Sequence, residues 1–252
     1  MNRTTLRSIV TAGLALTLAG SLTSCSDDDE ASARTVAAPT AACDAAVDLG
    51  AAFGAMPEDP AEFAAFAEEA LVPVGEAFTD AFDGDDATGE AATTLAAAFD
   101  EIAETGDPSA FESEDVTAAQ STLGAKVHED CDLEALDVTA VEYAYEGVPT
   151  EIAAGRVSFA LTNDGVEDHE IVLFRLADGV DASFEELMEQ GDAAMANLEF
   201  TGVAFGGPGT TSYTVADLEP GTYFLVCFLP VGGGEDGPPH FMEGMQQTIT
   251  VS

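Results

Sequence analysis

LEPGTYFLVCFLPVGGGEDGPPHFMEGMQQTITVS, residues 218–252, is the stretch on which the fold turns. Pro220-Gly221 is a turn signal, and the run from Thr222 to Phe228 has the aromatic and β-branched composition of a half-buried strand. Gln246 to Val251 alternates polar and apolar side chains and reads as a second strand. The glycines and prolines of 230–239 rule out a helix between them, so the stretch is strand, loop and strand. Around the loop stand Cys227, His240, Met242 and Met245, which carry soft or borderline metal donors; taken singly, both methionines serve equally well as core filler.

The same alternation extends upstream. Val141, Tyr143 and Tyr145, then Val157, Phe159 and Leu161, then Ile171 and Leu173 form runs bounded by Gly, Pro, Asn or Asp. Further strands are predicted at Glu199 to Phe205 and Thr210 to Val215, and only 182–197, DASFEELMEQGDAAMA, has a helical pattern. So many short strands within 138–252 predict an antiparallel sandwich or barrel.

From Cys43 to Cys131 the period changes to that of helices, and the chain becomes Ala-rich. Asp59-Pro60 with Glu62 matches a helix start, and Phe63, Phe66, Ala70 and Leu71 share a face. Pro73 is expected to break or kink that segment before Val74, Phe78 and Phe82 continue it. Leu95, Phe99 and Ile102 form another stripe, as do Val116, Ala119, Leu123 and Val127. These predict a bundle of about four helices over 43–132. The whole is α+β in two parts, a helical bundle followed by a sandwich. His128, near Lys126, Glu129 and Asp130, reads as a solvated helix-end residue rather than a ligand.

Residues 1–24 hold Arg3 and Arg7, an apolar run from Ile9 to Ala19 and no acid, the pattern of an export signal. The following Leu22-Thr23-Ser24-Cys25 resembles a bacterial lipobox. That resemblance implies a diacylated Cys25 holding the protein to the outer face of the cell membrane; secretion with cleavage near the same place is the alternative. Residues 25–42 read as a flexible acidic tether.

Four cysteines in an exported chain leave one unpaired once Cys25 is lipidated and Cys43 joins Cys131 as a disulfide. Cys227 is the remainder, and a thiol outside the cytoplasm needs burial or a metal to survive. The chain has 48 acidic against 6 basic residues, and removing 1–24 takes two of the basic ones and none of the acids. Nucleic acid and anionic lipid headgroups are therefore poor partners, whereas metal cations and basic proteins are attracted; an acidic, lysine-poor surface also suits a protein exposed to salt, so charge alone does not decide function.

Three stretches of the second part belong together: FALTNDGVEDHEIVLF (159–174), LEPGTYFLVC (218–227) and PPHFMEGMQQTITVS (238–252). With its Asn-Asp-Gly turn ahead of a histidine, its Pro-Gly-x-Tyr lead into a cysteine strand, and its His-x4-Met ahead of the last strand, 138–252 resembles a cupredoxin. The resemblance implies a Greek-key sandwich binding one copper ion, with His169 and His240 as imidazole ligands, Cys227 as the thiolate and Met245 as the axial thioether. Electron transfer with a redox protein partner, a basic one by charge, is the implied role, and copper capture or delivery is its close variant.

Two departures stand out. Twelve residues, FLPVGGGEDGPP, separate Cys227 from His240, far more than in plastocyanin or azurin. Glu170 also follows the first histidine, where those proteins have an asparagine that braces the cysteine loop. No Ser/His/Asp set, nucleotide loop or paired-carboxylate site stands out, so an enzyme is not expected. The other class of reading is a copper-free sandwich in a binding or structural lipoprotein, with the helices as the partner surface. In it His169 is a rim residue, Cys227 a small buried hydrophobe and Met245 core filler.

Overall fold

The computed structural model describes residues 38–252 apart from 58, 85, 235 and 236. The expected signal segment, Cys25, most of the tether, and Glu235 and Asp236 of the long loop lie outside the described residues.

The helical part opens with α1 (Thr40–Gly54), whose first turn draws in residues that the sequence assigns to the tether. A short α2 (Phe63–Phe66) follows a turn in which the Asp59 carboxylate accepts the Ala61 N–H at 2.9 Å. Pro73 does not break the path beyond it. The chain widens into a π-helical turn at Ala67–Leu71 and runs straight into α3 (Val72–Ala81), with Pro73 in its first turn. A first-turn N–H has no intrahelical carbonyl to bond, so proline is tolerated there.

In α4 (Ala87–Thr105) the Asp86 side chain accepts from Thr88 and Gly89, and Gly106 stops the helix at φ 72°. The Ser113 hydroxyl caps α5 (Glu114–Asp130) by accepting the Val116 N–H. The predicted stripes Leu95, Phe99, Ile102 and Val116, Ala119, Leu123, Val127 all face inward and are buried. Cys43 and Cys131 form the expected disulfide across 88 residues, tying α1 to the end of α5.

The sandwich has strands β1 (Glu134–Val141), β2 (Ala144–Glu146), β3 (Glu151–Ile152), β4 (Gly155–Asn163) and β5 (His169–Leu176). After α6 (Phe184–Met188) come β6 (Leu198–Gly206), β7 (Thr211–Leu218), β8 (Gly221–Val226) and β9 (Gln246–Val251). They make a four-stranded sheet, β2-β1-β4-β7, and a five-stranded one, β3-β9-β8-β5-β6. β1 runs parallel to β4 and β3 parallel to β9, while the other pairs are antiparallel. The first strand begins at Glu134, ahead of the boundary read from the sequence. Val141, Tyr143 and Tyr145 are not one strand either: the chain turns between β1 and β2 at Tyr143, whose φ is 62°.

Between the sheets lie Val138, Val157, Phe159, Leu161, Ile171, Leu173, Tyr223, Leu225 and Ile249. Both outer faces are also covered. The 182–197 segment supplies Phe184 and Leu187 against Phe174 and Phe224, on the far side of the five-stranded sheet. On the other side α1 and α5 lie on the edge strands so closely that a Cβ at Gly50 would sit 2.1 Å from the Val215 carbonyl oxygen. One at Gly124 would sit 2.5 Å from Tyr213 Cβ. Val215 packs into the helical core, and the Ser121 hydroxyl donates to the Thr211 carbonyl at 3.0 Å, so helices and sandwich share one packed body.

Candidate metal centre

Asn163, at the end of β4, builds the turn that delivers the first histidine. It is fully buried; its amide donates to the Glu167 and Gly206 carbonyls, both at 2.8 Å, and its side-chain oxygen accepts the Gly165 N–H at 2.8 Å. A buried side-chain amide with its donors and acceptor satisfied leaves the turn one conformation. His169 follows as the first residue of β5, fully buried.

Cys227 sits just past β8. Its N–H donates to the Met245 carbonyl at 3.2 Å, and its own carbonyl accepts from Phe241 at 2.9 Å. The twelve-residue gap is an excursion with a closed neck. Val231 N–H donates to the Pro238 carbonyl at 2.9 Å, and His240 N–H to the Leu229 carbonyl at 2.8 Å. Pro230 and Pro239 stand opposite one another in an isolated antiparallel bridge. The loop thus leaves and re-enters at almost the same place, and its length costs the site little, because closure entropy grows only logarithmically.

His169, Cys227 and His240 are thereby brought together, all buried, with their ligand atoms within 4.8 Å of one another. The two Nδ1 atoms are 3.2 Å apart, and Cys227 Sγ is 3.3 Å from His240 Nδ1. Three donors around one first-row ion, with bonds of about 2.0–2.3 Å, stand roughly 3.5 Å from each other, close to the two separations that His240 Nδ1 makes here. Two imidazoles and a thiolate suit copper in both oxidation states. Met245, the fourth expected ligand, is fully buried in the same core cluster as Cys227, and its N–H donates to the His240 carbonyl at 3.1 Å. Met242 is not core filler: it is 66% exposed, outside the cluster.

The surroundings tune these groups. Burial pushes the Cys227 thiol up to about 11 and holds the His169 imidazolium below its ordinary range. Glu170 does brace the cysteine loop: its carboxylate accepts the Phe228 N–H at 2.9 Å, and burial raises its pKa. The position that departs from the cupredoxin pattern therefore keeps the contact through a different side chain. The Tyr145 hydroxyl donates to the Glu170 carbonyl and steadies the same strand.

The sequence reading missed two carboxylates. Glu142 Oε1 accepts from Val166 and Glu167 N–H groups and lies 3.9 Å from His169 Nε2. Glu167 Oε2 accepts the Gly232 N–H at 2.7 Å and lies 3.2 Å from His240 Nε2, while its Oε1 accepts the Tyr143 hydroxyl at 3.1 Å. Hydrogen bonds from backbone N–H groups keep both acids below the ordinary carboxylate range. Among 48 acidic residues nothing marks these two, except that Glu167 falls two positions before His169.

His128 is not a solvated helix end. Its Nδ1 is 2.9 Å from Ser158 Oγ, its Nε2 is 3.3 Å from Asp137, and its ring packs on Tyr213. Ser, His and Asp do meet here, but Ser158 has no exposed surface, so no substrate reaches its hydroxyl. The trio braces α5 against β1, β4 and β7.

No protein-family model and no curated protein matches the chain. Among solved structures, sodium-dithionite-reduced auracyanin from the photosynthetic bacterium Roseiflexus castenholzii matches over 47% of this chain and 96% of its own, with 22% identity and a TM-score of 0.32. Auracyanin A, a "blue" copper protein from Chloroflexus aurantiacus, matches over 47% and 98%, at 17% identity and a TM-score of 0.32. A multicopper oxidase matches over 47% and 44%, at 11% identity and a TM-score of 0.28.

Proposed function

We propose that this cupredoxin-like sandwich would hold one copper ion through His169 Nδ1, Cys227 Sγ and His240 Nδ1, with the Met245 thioether as the fourth donor, and serves as an electron carrier. The convergence of the three buried donor atoms within 4.8 Å carries the reading. Copper in such a site takes up and releases one electron with little change of geometry. The chain's part is to keep the ligands still: backbone bonds link Cys227, His240 and Met245 to one another, and Asn163 fixes the turn before His169. Burial of all the donors favours electron transfer over copper delivery, since a delivering protein must offer a ligand to its recipient. It also leaves no open position for a substrate, which is why we read a carrier and not an enzyme. We further propose that a lipidated Cys25 holds the protein at the extracytoplasmic face of the cell membrane, where a basic redox protein is its partner. The signal-like 1–24 segment and the acidic composition support this.

The test is direct. A chain beginning at residue 26, given Cu(II), is expected to bind one equivalent and develop intense visible absorption from thiolate-to-copper charge transfer. Cys227→Ser removes the colour and leaves the fold. A colourless wild-type protein with no bound copper overturns the reading in favour of a copper-free binding module.

A further inference from the structure

Glu167 makes three contacts that meet nowhere else in the fold. Its carboxylate receives the hydroxyl of Tyr143 from the β1–β2 turn, the N–H of Gly232 from the long excursion, and Nε2 of His240 at 3.2 Å. Its own backbone is held as well, because its carbonyl accepts from the buried Asn163 amide and its N–H points to Glu142. Gly232 stands at φ 76°, a backbone setting that favours glycine, and donates to Glu167 from it. The His240 side chain is 1% exposed, so no solvent route competes for Nε2.

From these contacts we infer that Glu167 is a positioning residue of the metal centre: it fixes the His240 tautomer and fastens the 228–239 excursion to that ligand. The inference rests on the copper reading above. A carboxylate only accepts, so Nε2 must carry the proton, and a neutral ring then presents an unprotonated Nδ1. That atom is the one beside Cys227 Sγ and His169 Nδ1. Backbone bonds and packing against Tyr143 and His169 place the His240 ring, and the carboxylate decides which of its nitrogens carries the proton. His169 is held differently: its buried Nε2 has no hydrogen-bond partner among the described residues, and Gly165 lies over it so closely that a Cβ would be 2.7 Å away. Both imidazoles are packed, and His240 has a charge-assisted bond in addition. A ring so bonded is also the more basic donor and favours the oxidised ion.

The experiment uses the full chain with 15N-labelled histidine, in which only three rings contribute. In the copper-free protein His240 is expected to be the pure Nε2–H tautomer. Glu167→Ala admits the Nδ1–H form, weakens copper binding by about 10- to 100-fold and raises the reduction potential. Glu167→Gln keeps an acceptor for Nε2–H and rescues tautomer and affinity, while the loss of charge still raises the potential. Where Glu167→Ala fails to fold, the potential of Glu167→Gln decides. A pure Nε2–H ring in Glu167→Ala, or unchanged potentials in both variants, overturns the inference. If instead wild-type protein binds no copper, the copper reading fails while the tautomer result in the metal-free chain stands by itself.

Discussion

At the scale of single residues, Cys227 is built to be inert until a metal arrives. With its thiol pushed to about 11, only about one part in a thousand is thiolate at pH 8, against roughly a tenth of a free thiol at the ordinary 9.0. Alkylation of native, metal-free protein is therefore expected to run about 100-fold slower than in guanidinium, from ionisation alone. The same shift has a sign for stability. The folded-state pKa lies above the ordinary 9.0, so the contribution is whole below pH 9 and is lost as pH climbs toward 11. Tyr145, also raised by burial, acts in the same direction. Urea midpoints of the metal-free chain should thus fall between pH 8 and pH 10.5, and flat midpoints would show that the thiol is not buried as described. Cys227, His169 and His240 were legible from the sequence because few cysteines and histidines exist and each stands beside a turn signal. Glu167 was not: its value comes from the Gly232 and His240 groups it meets across the fold, and no local pattern encodes that.

At the scale of elements, apolar periodicity placed the helices and most strands, since a stripe or an alternation is a local property. It failed where tertiary contact overrides the pattern. Tyr143 fits a strand by spacing yet makes a turn at φ 62°, a conformation stabilised by the turn's fit to Glu167 and His240. Pro73 fits a break, but the π-helical turn before it turns the position into a helix start. Gly50 and Gly124, ordinary weak points of a helix by sequence, prove to be the places where α1 and α5 touch the sandwich. The two views make opposite predictions for Gly50→Ala. Helix propensity alone would stabilise by up to about 1 kcal/mol. With the Val215 carbonyl 2.1 Å from the new Cβ, we expect a net loss of about 1–3 kcal/mol instead, read as a lower urea midpoint with unchanged slope.

At the scale of the whole molecule, charge governs what can approach the centre. The chain carries a formal charge of −42, and the surface beside the site is no exception. An open cavity of about 340 Å³ between the 166–168 turn and the excursion is lined by Glu167 and Asp168 together with Val166, Leu229 and Pro230. The Glu142 and Glu243 carboxylates both act electrostatically on Tyr143, while Val166 and Met242 stand exposed, the latter two residues beyond His240. A partner docking here meets apolar contacts ringed by carboxylates, so attraction sets how often it arrives and apolar contact how long it stays. On the proposed electron-carrier reading, transfer to a basic cytochrome should accordingly slow by about tenfold or more as ionic strength rises from 10 mM to 300 mM, because the screening length shrinks from about 30 Å to below 10 Å. An acidic acceptor of similar potential should show the reverse trend. Replacing Glu243 by Gln, with Glu142 and Glu167 kept because both bond the turn and ring of the ligands, should flatten the dependence on the basic cytochrome more than the same change at Glu90 of α4. Equal flattening from both variants would mean that the field of the whole surface steers the partner and that the carboxylate near His240 has no special share. No salt dependence at all would assign docking to apolar contact and remove charge from the account.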